Sequence, residues 1–277
     1  SNRKIGNLIN MLPSARHGML VISDADMHVP AWYLQKVAAA LARPGAGVAT
    51  TLYTGLAGSP GLPALLGRAQ INHGFLPAAA LARWLGRQDC LGATMALTRE
   101  TLAELGGFEA LADHLADDNV LGRLARRQGR SVELASVIPA TTVPEASFPA
   151  LWRHELRWAR TIRALVPGAY FGVILQFPLF WAVLSLLLSG FALWGWALLG
   201  LAALIRWGLA WRLERRLRLA TPAARILGPW LFLLRDLLSA AIFAASFRGD
   251  TVEWRGHVLR ADPGRPPMPV RQSRTSQ

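Results

Sequence analysis

Apolar and polar positions divide the chain near residue 150. Before that point, short apolar runs are broken by turn residues. After it the runs lengthen, and residues 164–205 carry no charge at all. In the first part, Gly18-Met19-Leu20-Val21-Ile22-Ser23 predicts a short buried strand that runs into Asp24-Ala25-Asp26. Pro30 and Ala31 open a helix to about Arg43, Pro44-Gly45 ends it, and residues 47–53 form the next strand. A Gly/Pro-rich loop over 55–63 leads to a helical pattern over 65–85, with Pro77 as its break. Residues 90–95 read as loop then strand, and 99–105 as a short helix closed by Gly106-Gly107. A helix over 113–128 ends at Gly129, and strands follow at 131–135 and 137–143. Residues 148–165 are amphipathic, with Trp152, Leu156, Ala159 and Arg163 near helical period and basic residues between them.

A bilayer core of about 30 Å takes about 20 apolar residues per helix. The uncharged stretch is about twice that length, with Ser189-Gly190 near its middle. It predicts two spans, 170–188 and 191–211, joined by a tight turn. A buried helical hairpin in a soluble protein is the alternative. Against it stand Trp181, Trp194, Trp196, Trp207 and Trp211, which suit interfacial positions, and arginine clusters at both outer ends. Arg153, Arg157, Arg160 and Arg163 precede the pair, and Arg212, Arg215, Arg216 and Arg218 follow it. The positive-inside rule puts both clusters and the first part of the chain in the cytoplasm. A third apolar segment, 226–247, is interrupted by Arg235-Asp236, a pair that inside a membrane is functional or buried in protein. A full crossing there would carry the Arg-rich tail outside, so this segment is expected to be re-entrant or interfacial. The chain thus divides into a catalytic part (1–147), an interface helix (148–168), membrane helices (169–247) and a basic tail (248–277).

Composition supports this division. The hydrophobic fraction of the 277 residues is 52%, and the mean hydropathy of +0.28 is high for a soluble domain. The net charge of +13 is uneven: residues 1–150 hold 13 basic and 11 acidic side chains, and residues 151–277 hold 17 and 6. Charge that borders lipid-length runs reads as topology and lipid contact rather than nucleic-acid binding. Cys90 is the only cysteine, so no intrachain disulfide is possible, which fits a reducing compartment. The chain opens on Ser1-Asn2-Arg3-Lys4 with no initiator Met, as the interior of a longer protein would.

Candidate chemistry lies mostly in the first part. In an extended segment Asp24 and Asp26 point to the same side and can converge on one magnesium or manganese ion; a polar turn after a strand is the other reading. Asp117 and Asp118 sit near the front of their helix, where acids cap a dipole or one of them deprotonates an acceptor hydroxyl. Gly92 allows close backbone approach to a ligand, and Cys90 either lines a site or is inert and buried. His73 alone reads as packed or solvated, and His28 as a loop residue that can also reach the metal site.

Taken in order, Asp24-Ala25-Asp26, Cys90-Leu91-Gly92, Gly106-Gly107-Phe108, Ala116-Asp117-Asp118-Asn119 and His154-Glu155-Leu156-Arg157-Trp158 resemble the signature of inverting family-2-type glycosyltransferases: D-x-D, (E/T/D)-D and (Q/R/H)-x-x-R-W. The sequence is most similar to ceramide glucosyltransferases and their bacterial hopanoid-associated relatives. Asn2-Arg3-Lys4-Ile5-Gly6-Asn7-Leu8, Asn72-His73 and Val252-Glu253-Trp254-Arg255-Gly256 add to the likeness. The resemblance implies an α/β fold: a partial GT-A domain with a mixed sheet, followed by transmembrane or interfacial α-helices. It implies that Asp24 and Asp26 bind Mg2+ or Mn2+ and the donor diphosphate, that Asp118 is the catalytic base beside Asp117, and that Arg157 and Trp158 hold the diphosphate and shape the acceptor site. His154 takes the variable first position of that motif, and His73, Cys90 and Gly92 lie near donor or acceptor. The expected partners are a UDP-sugar, a lipid acceptor of ceramide or hopanoid type, and the bacterial inner membrane, which the chain crosses more than once with its catalytic portion cytoplasmic. Family members begin with a membrane helix and the strands that hold the nucleobase, which this sequence does not contain. It therefore resembles the C-terminal portion of such an enzyme. A processive polysaccharide synthase and an inactive membrane fragment are the competing readings.

Overall fold

The computed structural model describes residues 2–114, 116–219, 228–249, 251–254 and 257–260. In chain order the helices are α1 (Arg3–Met11), α2 (Tyr33–Leu41), α3 (Leu62–Gln70), α4 (Leu76–Trp84), α5 (Arg99–Glu104), α6 (Asp117–Arg127), α7 (Phe148–Leu165), α8 (Pro167–Tyr170), α9 (Pro178–Leu188), α10 (Leu193–Leu217) and α11 (Pro229–Ser246). The strands are β1 (Met19–Ser23), β2 (Met27–His28), β3 (Ala46–Thr50), β4 (Thr54–Ala57), β5 (Thr94–Thr98), β6 (Ser131–Leu134), β7 (Ala140–Val143), β8 (Thr251–Trp254) and β9 (His257–Arg260). The chain forms two compact units. One comprises Ser1–Leu56, Phe75–Thr142 and Gly256–Gln277; the other comprises Ala57–Gly74 and Val143–Arg255. The second unit thus includes Ala57–Gly74, which the sequence boundaries group with the first part.

The first unit is built on a mixed sheet in the order β1-β5-β3-β6. β5 runs antiparallel to both β1 and β3, and β6 runs parallel to β3. Alternation sends Leu20 and Ile22 of β1 inward, where they join Val48, Met95, Leu97, Val132, Leu121 and Phe108 in one buried cluster. On the other face α2 packs Tyr33, Val37 and Ala40 against Ala49, Ala96 and Val137. The small side chains at 49 and 96 let the helix lie close to the sheet. β2 pairs antiparallel with β7. The sequence pattern places every strand of the main sheet, with ends shifted by a few residues.

The second unit is helical. α7 spans the predicted 148–165, started by Ser147, whose hydroxyl accepts from the Ala150 N–H. The predicted break at Pro77 is a π-helical turn over Ile71–Phe75, with Pro77 in the first turn of α4, where its missing N–H costs nothing. α9 and α10 form the expected hairpin around Ser189-Gly190, with Gly190 at φ +62°.

One membrane expectation is corrected. The segment 170–188 is not one straight span: Pro167–Gln176 and Pro178–Leu188 meet at 67°. Pro178 cannot continue the upstream helical bonding, and the Trp181 indole N–H reaches back across the bend to the Ile174 carbonyl at 2.9 Å. The third apolar segment, expected to be re-entrant or interfacial, holds an unbroken 18-residue helix, α11. Among the described residues, α10 and α11 are long and apolar enough to cross a membrane, and the bent pair is a third if it counts as one span. Residues 226 and 227 and most of the basic tail, including Arg255 and Gly256, lie outside the described residues.

What permits charges in α11 is their pairing. Arg235 is 1% exposed; its Nη1 and Nη2 donate to Glu155 Oε1 and Oε2 of α7, both at 2.7 Å. Nη1 also reaches the Leu66 carbonyl of α3 at 3.1 Å, and Nε reaches Ser239 Oγ at 3.1 Å. Asp236 accepts from the Leu179 N–H of α9 at 3.1 Å and from Arg206 of α10 at 3.3 Å. One Arg-Asp dipeptide therefore ties α3, α7, α9 and α10 to α11. Removing one partner of a buried pair strands the other's charge, at about 3–5 kcal/mol. Glu155→Ala should lower the melting temperature of the detergent-solubilised protein accordingly, and the apolar double swap Glu155→Leu/Arg235→Met should recover most of that loss. An unchanged Glu155→Ala melt would show that the pair does not hold these helices.

Candidate active site

Asn2 begins the construction in the first unit. Its Oδ1 accepts from the Lys4 and Ile5 N–H groups and caps α1. Its Nδ2 donates to the His114 carbonyl at 3.0 Å and to Asp117 Oδ1 at 3.4 Å. The cap thereby aims Lys4 at the acids: Nζ lies 3.2 Å from Asp24 Oδ1 and 3.4 Å from Asp117 Oδ2. Burial works against the Lys4 charge, but Asp117 and Asp24 outweigh it and its pKa is raised.

Asp117 and Asp118 occupy the first turn of α6, where the helix dipole favours negative charge. Asp118 Oδ1 accepts from the Asn119 N–H at 2.7 Å. Its carboxyl is pushed up to about 6, first by burial and then by the charge of Asp117, with the Asn119 and Gly92 N–H groups and Lys4 pulling the other way. Gly92 packs tightly here: a Cβ on it would stand 3.1 Å from Asp118 Oδ2, so that carboxylate would have to shift by a few tenths of an ångström. The close backbone approach expected at Gly92 is thus made to the Asp118 carboxylate. The loop is held by Thr50, whose hydroxyl donates to the Thr94 and Leu91 carbonyls and accepts from the Leu91 N–H, and by Ser23, which donates to the Ala93 carbonyl. Cys90 is buried against Gly122 of α6, and burial followed by the charges of Asp118 and Asp117 raises its pKa, so it is a neutral thiol.

Asp24 and Asp26 do not extend β1. They lie in a turn closed by the Met27 N–H on the Asp24 carbonyl at 3.3 Å, so the extended-strand reason for their convergence does not hold. Asp26 Oδ2 accepts from Thr141 Oγ1 at 2.8 Å. The acids nevertheless act together. The half-buried Tyr53 hydroxyl is pushed up by burial and then by the charges of Asp118, Asp24 and Asp26. His28 lies on β2 and bonds Thr142 Oγ1 at 2.7 Å.

Among the described residues, no group of three or more His, Cys, Asp and Glu side chains is placed to hold a metal ion by itself. An ion bound here would be shared with a ligand. Lys4 already places one positive charge between Asp24 and Asp117, and magnesium takes one or two carboxylates and fills its shell with phosphate oxygens and water.

In the second unit, His154 and Trp158 lie one turn apart on α7, in an edge-on ring contact at 4.5 Å. His154 Nδ1 and Glu145 Oε1 share a hydrogen bond. Burial would raise the Glu145 pKa, but His154 and Arg157 outweigh it and hold the carboxyl below its usual range. The Arg157 guanidinium is lowered by burial, against the pull of Glu145. His73 is 4% exposed, with Nε2 3.0 Å from Glu214 Oε1 of α10 and an edge-on contact with Phe232 at 5.1 Å. Burial outweighs Glu214 and lowers its pKa, so it is neutral at pH 7.

Sequence reasoning gave no role to Lys4, Tyr53 or Glu145. Only Lys4 carried a signal: the chain has 28 arginines and two lysines, and a compact ammonium suits a narrow gap between carboxylates better than a guanidinium does.

A mixed α/β unit with an acid cluster at the strand ends, in a chain with membrane-length helices, is the build of a membrane-associated glycosyltransferase. The chain belongs to glycosyl transferase family 21, whose profile matches residues 1–266. It is therefore a transferase that draws on a nucleotide-sugar donor. No curated protein matches the sequence.

Asp118 also leaves a signature in stability. Its folded value of about 6 lies above the ordinary 3.8. Between those values the folded state holds a proton that the unfolded chain has lost. Stability therefore falls as pH rises through this window, by about 3 kcal/mol in all, and the loss persists above it. Asp118→Asn should melt higher than the parent at pH 7.5 and flatten this dependence in a pH series of thermal melts. A variant that melts no higher would contradict the assignment.

Proposed function

We propose that the protein moves a sugar from a UDP-sugar to a lipid hydroxyl, of ceramide or hopanoid type, with inversion at the anomeric carbon. The observation that carries this reading is Asp118: a carboxyl pushed up to about 6 by desolvation and then by the charge of Asp117, in the first turn of a helix, beside a Tyr53 hydroxyl that feels its charge together with those of Asp24 and Asp26. Such a group is ionised at neutral pH yet basic enough to take a proton. The acceptor oxygen attacks the anomeric carbon as its proton passes to Asp118. The new C–O bond forms as the bond to the diphosphate breaks, and UDP leaves from the opposite face. A base opposite the leaving group gives inversion in one displacement.

Asp24 and Asp26 hold the divalent cation, which supplies charge neutralisation for the diphosphate when bound. Lys4 neutralises Asp24 and Asp117, which keeps Asp118 from being driven further toward its protonated form. Arg157 and Trp158 serve the diphosphate and the acceptor in the roles that the family resemblance assigns, with Glu145 and His154 orienting that face of α7. Gly92 and Cys90 shape the Asp118 pocket, and His73 supports the donor or acceptor side through its bond to Glu214. In this reading the catalytic portion is cytoplasmic, on a bacterial inner membrane that the chain crosses more than once, and the arginines flanking the apolar helices support that orientation.

Transfer of labelled sugar from UDP-sugar to a lipid extract, with manganese added, tests the reading. Asp118→Asn should lose about 10²–10⁴-fold in turnover with binding of UDP retained, and chromatography of the lipid should show one added sugar rather than a polymer. Full activity in Asp118→Asn excludes the base assignment. In the parent, the rate should rise with pH through about 6 as Asp118 ionises. Lys4→Met should move that midpoint upward, because one of the charges that stabilise the ionised form is gone; an unmoved midpoint would remove Lys4 from the mechanism.

A further inference from the structure

α4 is an inverted amphipathic helix. Pro77, Ala80, Leu81, Trp84 and Leu85 recur at helical period along one side, and all five are exposed. Leu81 is 55%, Trp84 80% and Leu85 67% exposed. Arg83, the one charged residue of the helix, turns inward instead: its Nη1 donates to the Val132 carbonyl of β6 at 2.7 Å, and its Nη2 lies 3.7 Å from Glu133. The helix's single charged side chain thus meets the protein, while its largest apolar side chains face outward.

The chain leaves this face through Gly86, at φ +91°, and enters a groove of about 620 Å3. Arg87, Arg126 and Arg130 line it, with Asp89 as the one acid among the lining residues. Each arginine has a local partner: Asp89 for Arg87, the Gln88 carbonyl for Arg126, and Glu104 for Arg130. A guanidinium carries five donors, so each retains N–H groups for further acceptors.

We propose that this surface docks on an anionic bilayer, with Leu81, Trp84 and Leu85 entering the headgroup and acyl boundary while the arginine groove takes lipid phosphates. An aromatic and aliphatic stripe next to clustered arginines is the composition that favours a charged lipid interface. Its extent argues against a second copy of the chain. Three large side chains expose on the order of 400 Å2, below the roughly 800 Å2 per partner of a stable protein interface. The same chain carries helices of membrane length.

The test places a fluorophore on the stripe without removing its anchors. Ala80→Cys in the full chain is labelled with a polarity-sensitive dye, with the parent as the control for the buried Cys90. It is then reconstituted in nanodiscs of phosphatidylcholine alone or with phosphatidylglycerol added. The expected result is a blue-shifted emission that brominated lipid quenches in the anionic discs. Both effects should be lost in Leu81→Ser/Trp84→Ser and reduced in Arg87→Glu. The serine pair replaces exposed side chains, so its folding is not in question. Emission that stays at the aqueous position in both lipids overturns the proposal. So does a blue shift that grows with protein concentration and that brominated lipid does not quench, which would instead mark a protein partner.

Discussion

The Arg235–Glu155 pair constrains the helical unit more than any other contact. A bidentate guanidinium–carboxylate bond fixes both distance and rotation, so α7 can neither slide along α11 nor turn about its own axis without breaking it. His154, Arg157 and Trp158 flank Glu155 on the same helix. Their orientation is therefore inherited from a residue 80 positions away, in a helix of membrane length. Leu66 and Ser239 complete the guanidinium's bonding, and Asp236 repeats the device toward α9 and α10. Buried charge costs a great deal unless it is paired, and here each charge meets its counterpart on a different helix, so pairing and assembly are one event.

The acid cluster follows the same logic in the other unit. Four carboxylates near one another would repel, and none would hold its charge cheaply. Lys4 relieves this from a fixed position, because Asn2 both caps α1 and binds Asp117. Desolvation, and after it the charge of Asp117, still raises Asp118. A carboxyl raised in this way is basic enough to act near neutral pH. The same imbalance destabilises the fold at that pH, so the site holds strain that a structure selected for stability alone would not keep.

The pattern of apolar positions by itself determined a good deal. Short apolar runs bounded by turn residues located the strands of the mixed sheet, because a strand that must leave water is apolar wherever it lies. The period of 148–165 delivered α7 to the residue, and the charge-free run delivered the hairpin at Ser189-Gly190, because a helix cap and a lipid-length run are local properties. The ordered motifs pointed to the family for the same reason: each is short and contiguous. Tertiary structure alone decided the rest. That Asp24 and Asp26 sit in a turn depends on β2 pairing with a strand more than 110 residues later. That the charged segment 229–246 buries Arg235 and Asp236 among other helices depends on Glu155 and Arg206 reaching them. Periodicity records which side chains leave water; it does not record which distant partner each one meets, and that pairing sets the proton affinity of Asp118 and the orientation of α7.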